Sequence, residues 1–156
     1  MSLKLAIEVL IEQDRRKVFD LLVDLRHYGA WLPHSTVFAG TAVIAAGPIA
    51  VGTTYVETSF WGARHGLVTA LEPPARVSYS QPMTLRPGWA GVIDIHIDDV
   101  LEEAGAKTRL TRYLRLDFEG PVRFLDVAVG QAFEREIRRT QARLKAYAET
   151  LPREAA

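Results

Sequence analysis

The sequence predicts an α+β fold: a curved antiparallel sheet of seven strands wrapped on a long C-terminal helix, with two short helices after the first strand. Three observations carry this. First, Leu125, Val129, Phe133, Ile137, Thr140, Leu144, Tyr147 and Leu151 fall on one helical stripe, while Glu134, Arg135, Arg138, Arg139, Arg143 and Lys145 fall elsewhere. Such a stripe describes an amphipathic helix of about 30 residues, roughly 45 Å long. Second, the preceding residues form closely spaced apolar runs, each ended by its own turn chemistry, and short links between consecutive strands make antiparallel neighbours. Third, two short helical patterns interrupt the strands only once, directly after the first.

In chain order, residues 3–11 alternate Leu3, Leu5, Ile7, Val9 and Ile11 with Lys4, Ala6, Glu8 and Leu10, the pattern of a half-buried strand. Asp14 is placed to cap a short helix in which Val18, Leu21, Leu22 and Leu25 share a face. A second helical turn covers 27–32 and stops at Pro33. Strands are then expected at about 36–46, 52–61, 65–72, 76–82, 89–101 and 107–118, with links at Gly47-Pro48, Trp61-Gly62, Pro73-Pro74, Pro87-Gly88 and Gly105. Gly120-Pro121 opens the long helix, because proline suits a first helical turn.

Composition narrows the function classes. At 156 residues the chain is expected to be one domain, 1–156, with a frayed tail from about residue 152. Lys and Arg together number 19, as do Asp and Glu, so no positive field draws the protein to nucleic acid. Cysteine is absent, which removes disulfides, thiolate catalysis and Cys-based metal sites. The N-terminus has no basic segment followed by an apolar signal core, so a cytoplasmic location is expected. Residues 35–56 carry no formal charge, but Gly40, Gly47, Pro48 and Gly52 break them. They read as two β-branched runs joined by a turn, and no membrane span is expected.

The last hairpin admits a register. If the turn is Ala104-Gly105, Ile93 faces Leu116 and Ile95 faces Leu114 on the side toward the helix. Asp94 then faces Arg115, and His96 faces Tyr113, on a wet outer side. Asp99 and Arg112 break this rule by landing on the inner face, either at a cavity mouth or after a bulge.

Several stretches carry a family resemblance. Asp24-Leu25-Arg26-His27-Tyr28-Gly29-Ala30-Trp31-Leu32-Pro33 resembles the Asp…Trp-x-Pro helix corner of START-like proteins. Val51-Gly52-Thr53-Thr54-Tyr55 is similar to the "vGt" turn of that superfamily. Glu72-Pro73-Pro74-Ala75-Arg76-Val77 resembles its strand-joining turn, and Thr108-Arg109-Leu110-Thr111 its penultimate-strand stretch. In order and spacing the chain, over about residues 3–150, looks like the bacterial polyketide cyclase/dehydrase-like (SRPBCC) branch. The resemblance implies a helix-grip fold with a cavity for hydrophobic ligands. It implies a reaction less firmly, because its members include lipid and hormone binders, ring-modifying enzymes and chaperone-associated modules.

Candidate chemistry is sparse. Gly47 to Thr54 imitates a phosphate loop but lacks the Lys and leads into a strand, so it is rejected, and no cofactor is expected. His27, His34, His65 and His96 show no metal-ligand spacing, so no metal is expected either. His34 and His65 fall near expected cavity rims as candidate general bases, against the plainer reading of solvated histidines. Glu57 depends on the phase of its strand. With Tyr55 and Trp61 inward it sits among aromatic rings, suited to acid–base work. With Val56 and Phe60 inward it sits in water, the setting an isolated Glu usually takes and the phase slightly preferred here. The stronger signal is aromatic: Trp31, Tyr55, Trp61, Tyr79, Trp89 and Phe133 recur in segments that converge between sheet and helix.

The expected function is binding of a small hydrophobic or aromatic molecule between the sheet and the C-terminal helix. The alternatives are a cyclase/dehydratase-type enzyme, using Glu57, His34 or His65, and a protein-interaction module. The balance leans away from an enzyme. Ligand identity, pathway and oligomeric state are not encoded in any motif.

Overall fold

The computed structural model describes residues 2–36 and 38–153. Strand β1 (Ser2–Ile11) is followed by helix α1 (Arg15–Val23) and a 3-10 segment at Leu25–Ala30. The sheet continues with β2 (Thr41–Ala42), β3 (Thr54–Ser59), β4 (Gly62–Glu72), β5 (Arg76–Ser80) and β6 (Met83–Leu85). A 3-10 turn at Gly88–Ala90 precedes β7 (Val92–Ala104) and β8 (Lys107–Glu119). A 3-10 turn at Pro121–Leu125 then leads into helix α2 (Asp126–Ala148). The antiparallel sheet runs β1-β8-β7-β5-β4-β3-β2, with β6 bridging β4 and β7, and α2 packs across its inner face. The predicted fold class holds. No helix among the described residues is long and apolar enough to cross a membrane.

Several details differ from the sequence reading. The expected strand at 76–82 ends at Ser80, and Met83–Leu85 forms a separate eighth strand. Pro82, which lacks an N–H, marks the break between them. The expected strand at 36–46 shrinks to Thr41–Ala42, paired with Glu57 and Val56, and Val37 lies outside the described residues, as do 154–156 of the expected tail. The apolar residues after it form a loop instead. The Arg26 guanidinium pins that loop to the helix corner by donating to the carbonyls of Ala45 at 2.7 Å and Gly47 at 2.9 Å.

The last hairpin is shifted by two residues from the expected register. Its turn is Gly105-Ala106, so Ile93 faces Phe118, Ile95 faces Leu116, Asp94 faces Asp117 and His96 faces Arg115. Gly105 has φ of 65°, at the first central position, where a two-residue hairpin of type II′ favours glycine. A shift of two keeps every side chain on its face, so the inward set Ile93, Ile95 and Ile97 is unchanged and buried. Asp99 and Arg112 are direct cross-strand partners on the inner face with no bulge between them.

Helix α2 is unevenly seated. From Ile137 to Ala148 it is packed down, with Ile137, Thr140, Gln141, Leu144 and Ala148 buried. Polar groups fasten this end. Gln141 donates to the Ile7 carbonyl at 2.8 Å, and Gln13, fully buried, donates to the carbonyls of Ala148 at 2.9 Å and Leu151 at 3.0 Å. These last bonds tie the end of α2 and the turn after it to the segment that joins β1 to α1. Toward the N-terminal end Val129 and Phe133 are only half-buried, and Leu125 is exposed. There the helix still touches β1, where Gly130 is buried against Leu3, but it stands off β6 and β7 and leaves a gap above Met83, Leu85 and Ile93.

Candidate ligand cavity

Two cavities occupy the space between sheet and α2, and Phe133 forms part of the wall of both. The outer one holds about 510 Å³ and is lined by Trp61, Met83, Leu85, Trp89, Ile93, Val122, Leu125, Val129 and Ala132 among others. Its floor comes from inward positions of β6 and β7, and its roof from the raised half of α2. Trp61 comes from the β3–β4 turn and Trp89 from the 3-10 turn before β7, and they remain 51% and 76% exposed. Phe60, Phe124 and Val127 are also exposed.

The inner chamber is smaller, about 60 Å³, and differs in chemistry. Its wall includes Tyr28, Tyr55, Glu57, Arg64, Tyr79, Gln81, Arg112 and Glu136 beside aliphatic residues such as Ile95 and Leu114. The hairpin of β3 and β4 turns at Phe60-Trp61, which places Glu57 directly opposite Arg64. The Glu57 carboxylate meets the Arg64 guanidinium at 3.0 Å, and both side chains are buried. Asp99, with no exposed surface, accepts Nε and Nη2 of Arg112 at 2.7 Å each. Burial acts to lower the affinity of Arg112 for its proton, but the charge and hydrogen bonds of Asp99 outweigh it, and the net direction is upward.

The three phenols are held neutral. Burial pushes Tyr28, Tyr55 and Tyr79 above the usual tyrosine range, and Glu57 adds to the effect on Tyr55. Tyr28 and Tyr79 both donate to the Leu22 carbonyl, and Tyr55 accepts from the Gln81 amide. These bonds lock the rings, and Tyr55 and Tyr79 meet edge to face at 6.1 Å.

The sequence-predicted residues separate into three groups. Tyr55, Tyr79 and Glu57 line the inner chamber, Trp61 and Trp89 line the outer cavity, and Phe133 lines both. Trp31 lines neither; it is buried against Tyr28, with ring centroids 5.0 Å apart. His34 is exposed, its ring edge-on to Phe38, and His65 points from β4 to the outer face of the sheet. The phase preferred for β3 is therefore corrected: Tyr55, Glu57 and Ser59 point inward, while Val56 is half-buried and Phe60 exposed. The general rule that a lone Glu prefers water does not apply, because Arg64 makes it half of a pair. Arg64 itself was missed. Its signal was the position opposite Glu57, equidistant from the hairpin turn.

The order of elements, with a cavity under the raised half of the last helix, defines the helix-grip fold of the START-like superfamily. The profile of the family described as "Polyketide cyclase / dehydrase and lipid transport" matches residues 3–149, and the chain belongs to that family. Among solved structures the chain is similar to the Mll3558 protein from Rhizobium loti, at 22% identity, TM-score 0.72, covering 94% of this chain and 96% of that one. It is similar to Ara h 8.0201 at 13% identity and TM-score 0.74, covering 97% and 100%. It also matches the di-domain ARO/CYC BexL from the BE-7585A biosynthetic pathway, at 15% identity and TM-score 0.72, covering 97% of this chain and 51% of that one. At these identities the likeness is one of fold. No curated protein matches the chain.

Proposed function

We propose that the protein binds a small apolar or aromatic molecule between the sheet and α2, its body in the outer cavity. The observation that carries this reading is the apolar space of about 510 Å³ with two indoles at its rim. That volume lies within the range of small-molecule sites, which are mostly apolar and contain few polar groups. A ring entering it would leave water at about 25 cal/mol for each Å² buried. The partly exposed walls would leave water with it.

The cyclase or dehydratase reading rests on Glu57, which lines the space between sheet and α2, as His34 and His65 do not. Its Oε2 is already engaged by Arg64, and neither His34 nor His65 lines the chamber to relay a proton. That arrangement supports binding over proton transfer.

Naphthalene is a suitable probe. Titrated into the wild type it should shift tryptophan emission to the blue and raise the melting temperature. The shift should persist in Trp31→Phe and shrink in Trp61→Phe and Trp89→Phe, whose ring volumes are roughly kept. An unchanged emission and melting temperature in all four proteins would refute the binding reading and leave the exposed aromatic rim to a protein partner.

A further inference from the structure

The inner chamber has a property that the outer cavity lacks: its wall is rich in ionised groups yet electrically balanced. The wall itself holds Glu57, Glu136, Arg64 and Arg112. Glu57 meets Arg64 at 3.0 Å, and Asp99 and Arg139, which do not line it, meet Arg112 at 2.7 Å and Glu136 at 2.8 Å. Each carboxylate is matched by one guanidinium, and none of the four histidines lines the chamber. The three phenols add no charge. The wall nevertheless offers hydrogen bonds. Arg112, a wall residue, gives Nε and Nη2 to Asp99 and carries a third nitrogen, Nη1, with further N–H groups. Tyr55 accepts from Gln81, which leaves its hydroxyl hydrogen to donate, and Glu57 supplies a carboxylate oxygen beyond the one on Arg64.

Size and position complete the argument. At about 60 Å³ against about 510 Å³, the chamber suits a small substituent such as a hydroxyl or a carbonyl, and the outer cavity a ring system. The chamber adjoins the outer cavity along neighbouring inward positions of β7, with Ile93 in one wall and Ile95 in the other. On α2, Phe133 stands between Val129 of the outer cavity and Ile137 of the chamber, about 6 Å along the axis from each. A charged head group moved into this chamber would lose its hydration without meeting a net countercharge. An uncharged polar group would meet donors and an acceptor that otherwise face water.

We propose that the inner chamber is a subsite for an uncharged hydroxyl or carbonyl group on the ligand whose apolar body fills the outer cavity, with Phe133 turning aside to join the two. This rests on the binding reading above and specifies the ligand's chemistry: a phenol, an alcohol or a ketone, in preference to a carboxylate or an amine.

The test compares naphthalene, 2-naphthol and 2-naphthoate at neutral pH by calorimetry. The wild type should bind 2-naphthol about tenfold more tightly than naphthalene, the factor expected of one net hydrogen bond, and 2-naphthoate most weakly. Naphthalene binding as tightly as 2-naphthol, or 2-naphthoate binding tightest, would overturn the subsite and leave the apolar cavity standing. Failure of all three to bind would overturn the cavity reading, and the subsite with it. Glu57→Gln removes one negative charge from the wall at constant shape and should raise 2-naphthoate above 2-naphthol. Asp99→Asn removes the partner of the wall residue Arg112 from another strand and should do likewise, whereas Glu57→Gln with Arg64→Gln should restore the wild-type order. An unaltered order in the folded single variants would overturn the proposal; the wild-type order decides it if neither folds.

Discussion

Gly66 and Tyr55 face each other across β3 and β4, and no volume is left between them. A Cβ built on Gly66 would lie far closer to Cζ and Cε2 of Tyr55 than atoms can approach. That ring is itself fixed by Gln81 and by its edge-to-face contact with Tyr79, so it has little room to yield. Gly66→Ala should therefore destabilise the protein by about 1–3 kcal/mol, the range of overpacking in a filled core. In denaturant titrations Tyr55→Leu introduced into that background should recover part of the loss. Simple additivity of the two substitutions would show that the contact does not carry the effect. At this scale the sequence spoke unevenly. The six aromatics were legible as a group because their segments converge, and five of them line one cavity or the other. Trp31 was not separable from them, since a helix corner gives no periodicity to tell core from lining. Arg64 was hidden for a different reason: single-residue rules send charge to the surface, and only pairing across strands reverses them.

Helix α2 does two jobs along its length, and the division is visible in its burial. Leu144 has no exposed surface, whereas Val129 lines the outer cavity and is only half-buried. Leu144→Ala should cost about 2–5 kcal/mol in chemical denaturation, because it removes buried methyl groups and leaves a void. Val129→Ala should cost no more than about 1 kcal/mol, since it enlarges a space that is already open. Equal losses at the two positions would show that the helix is seated evenly and that the cavity is not a feature of the folded state. The apolar stripe announced this helix and its sheet-facing side in the sequence. It did not announce the lift, because Leu125, Val129 and Phe133 are as apolar as the residues that pack. The eighth strand was equally silent: three residues after a proline are too few to show alternation. The expected strand at 36–46 shrank to Thr41–Ala42 because β-branched composition was taken for strand, while Arg26 holds the following segment as a loop.

The whole molecule should respond to alkali in a way set by its buried phenols. Tyr28, Tyr55 and Tyr79 keep their protons in the folded state above the usual value of about 10. Below that pH both states are protonated there, and the stability is fully present. As pH rises further the unfolded chain releases protons that the folded one retains, so each phenol lowers stability by about 1.4 kcal/mol per pH unit until its folded value is reached. Phenolate absorbance from three of the five tyrosines should therefore develop together with loss of the sheet's circular dichroism. Ionisation of all five in a native-like protein would place the chamber in contact with bulk water. The central claim, that a ligand sits under the raised half of α2, is tested most directly by methyl chemical shifts during a naphthalene titration. The account predicts saturable shifts at Met83, Leu85, Ile93, Val122 and Val129, with Ile11, Val18 and Leu110 unmoved. Shifts gathered instead at Val43, Val51 and Leu67, on the loop and outer face, would contradict it.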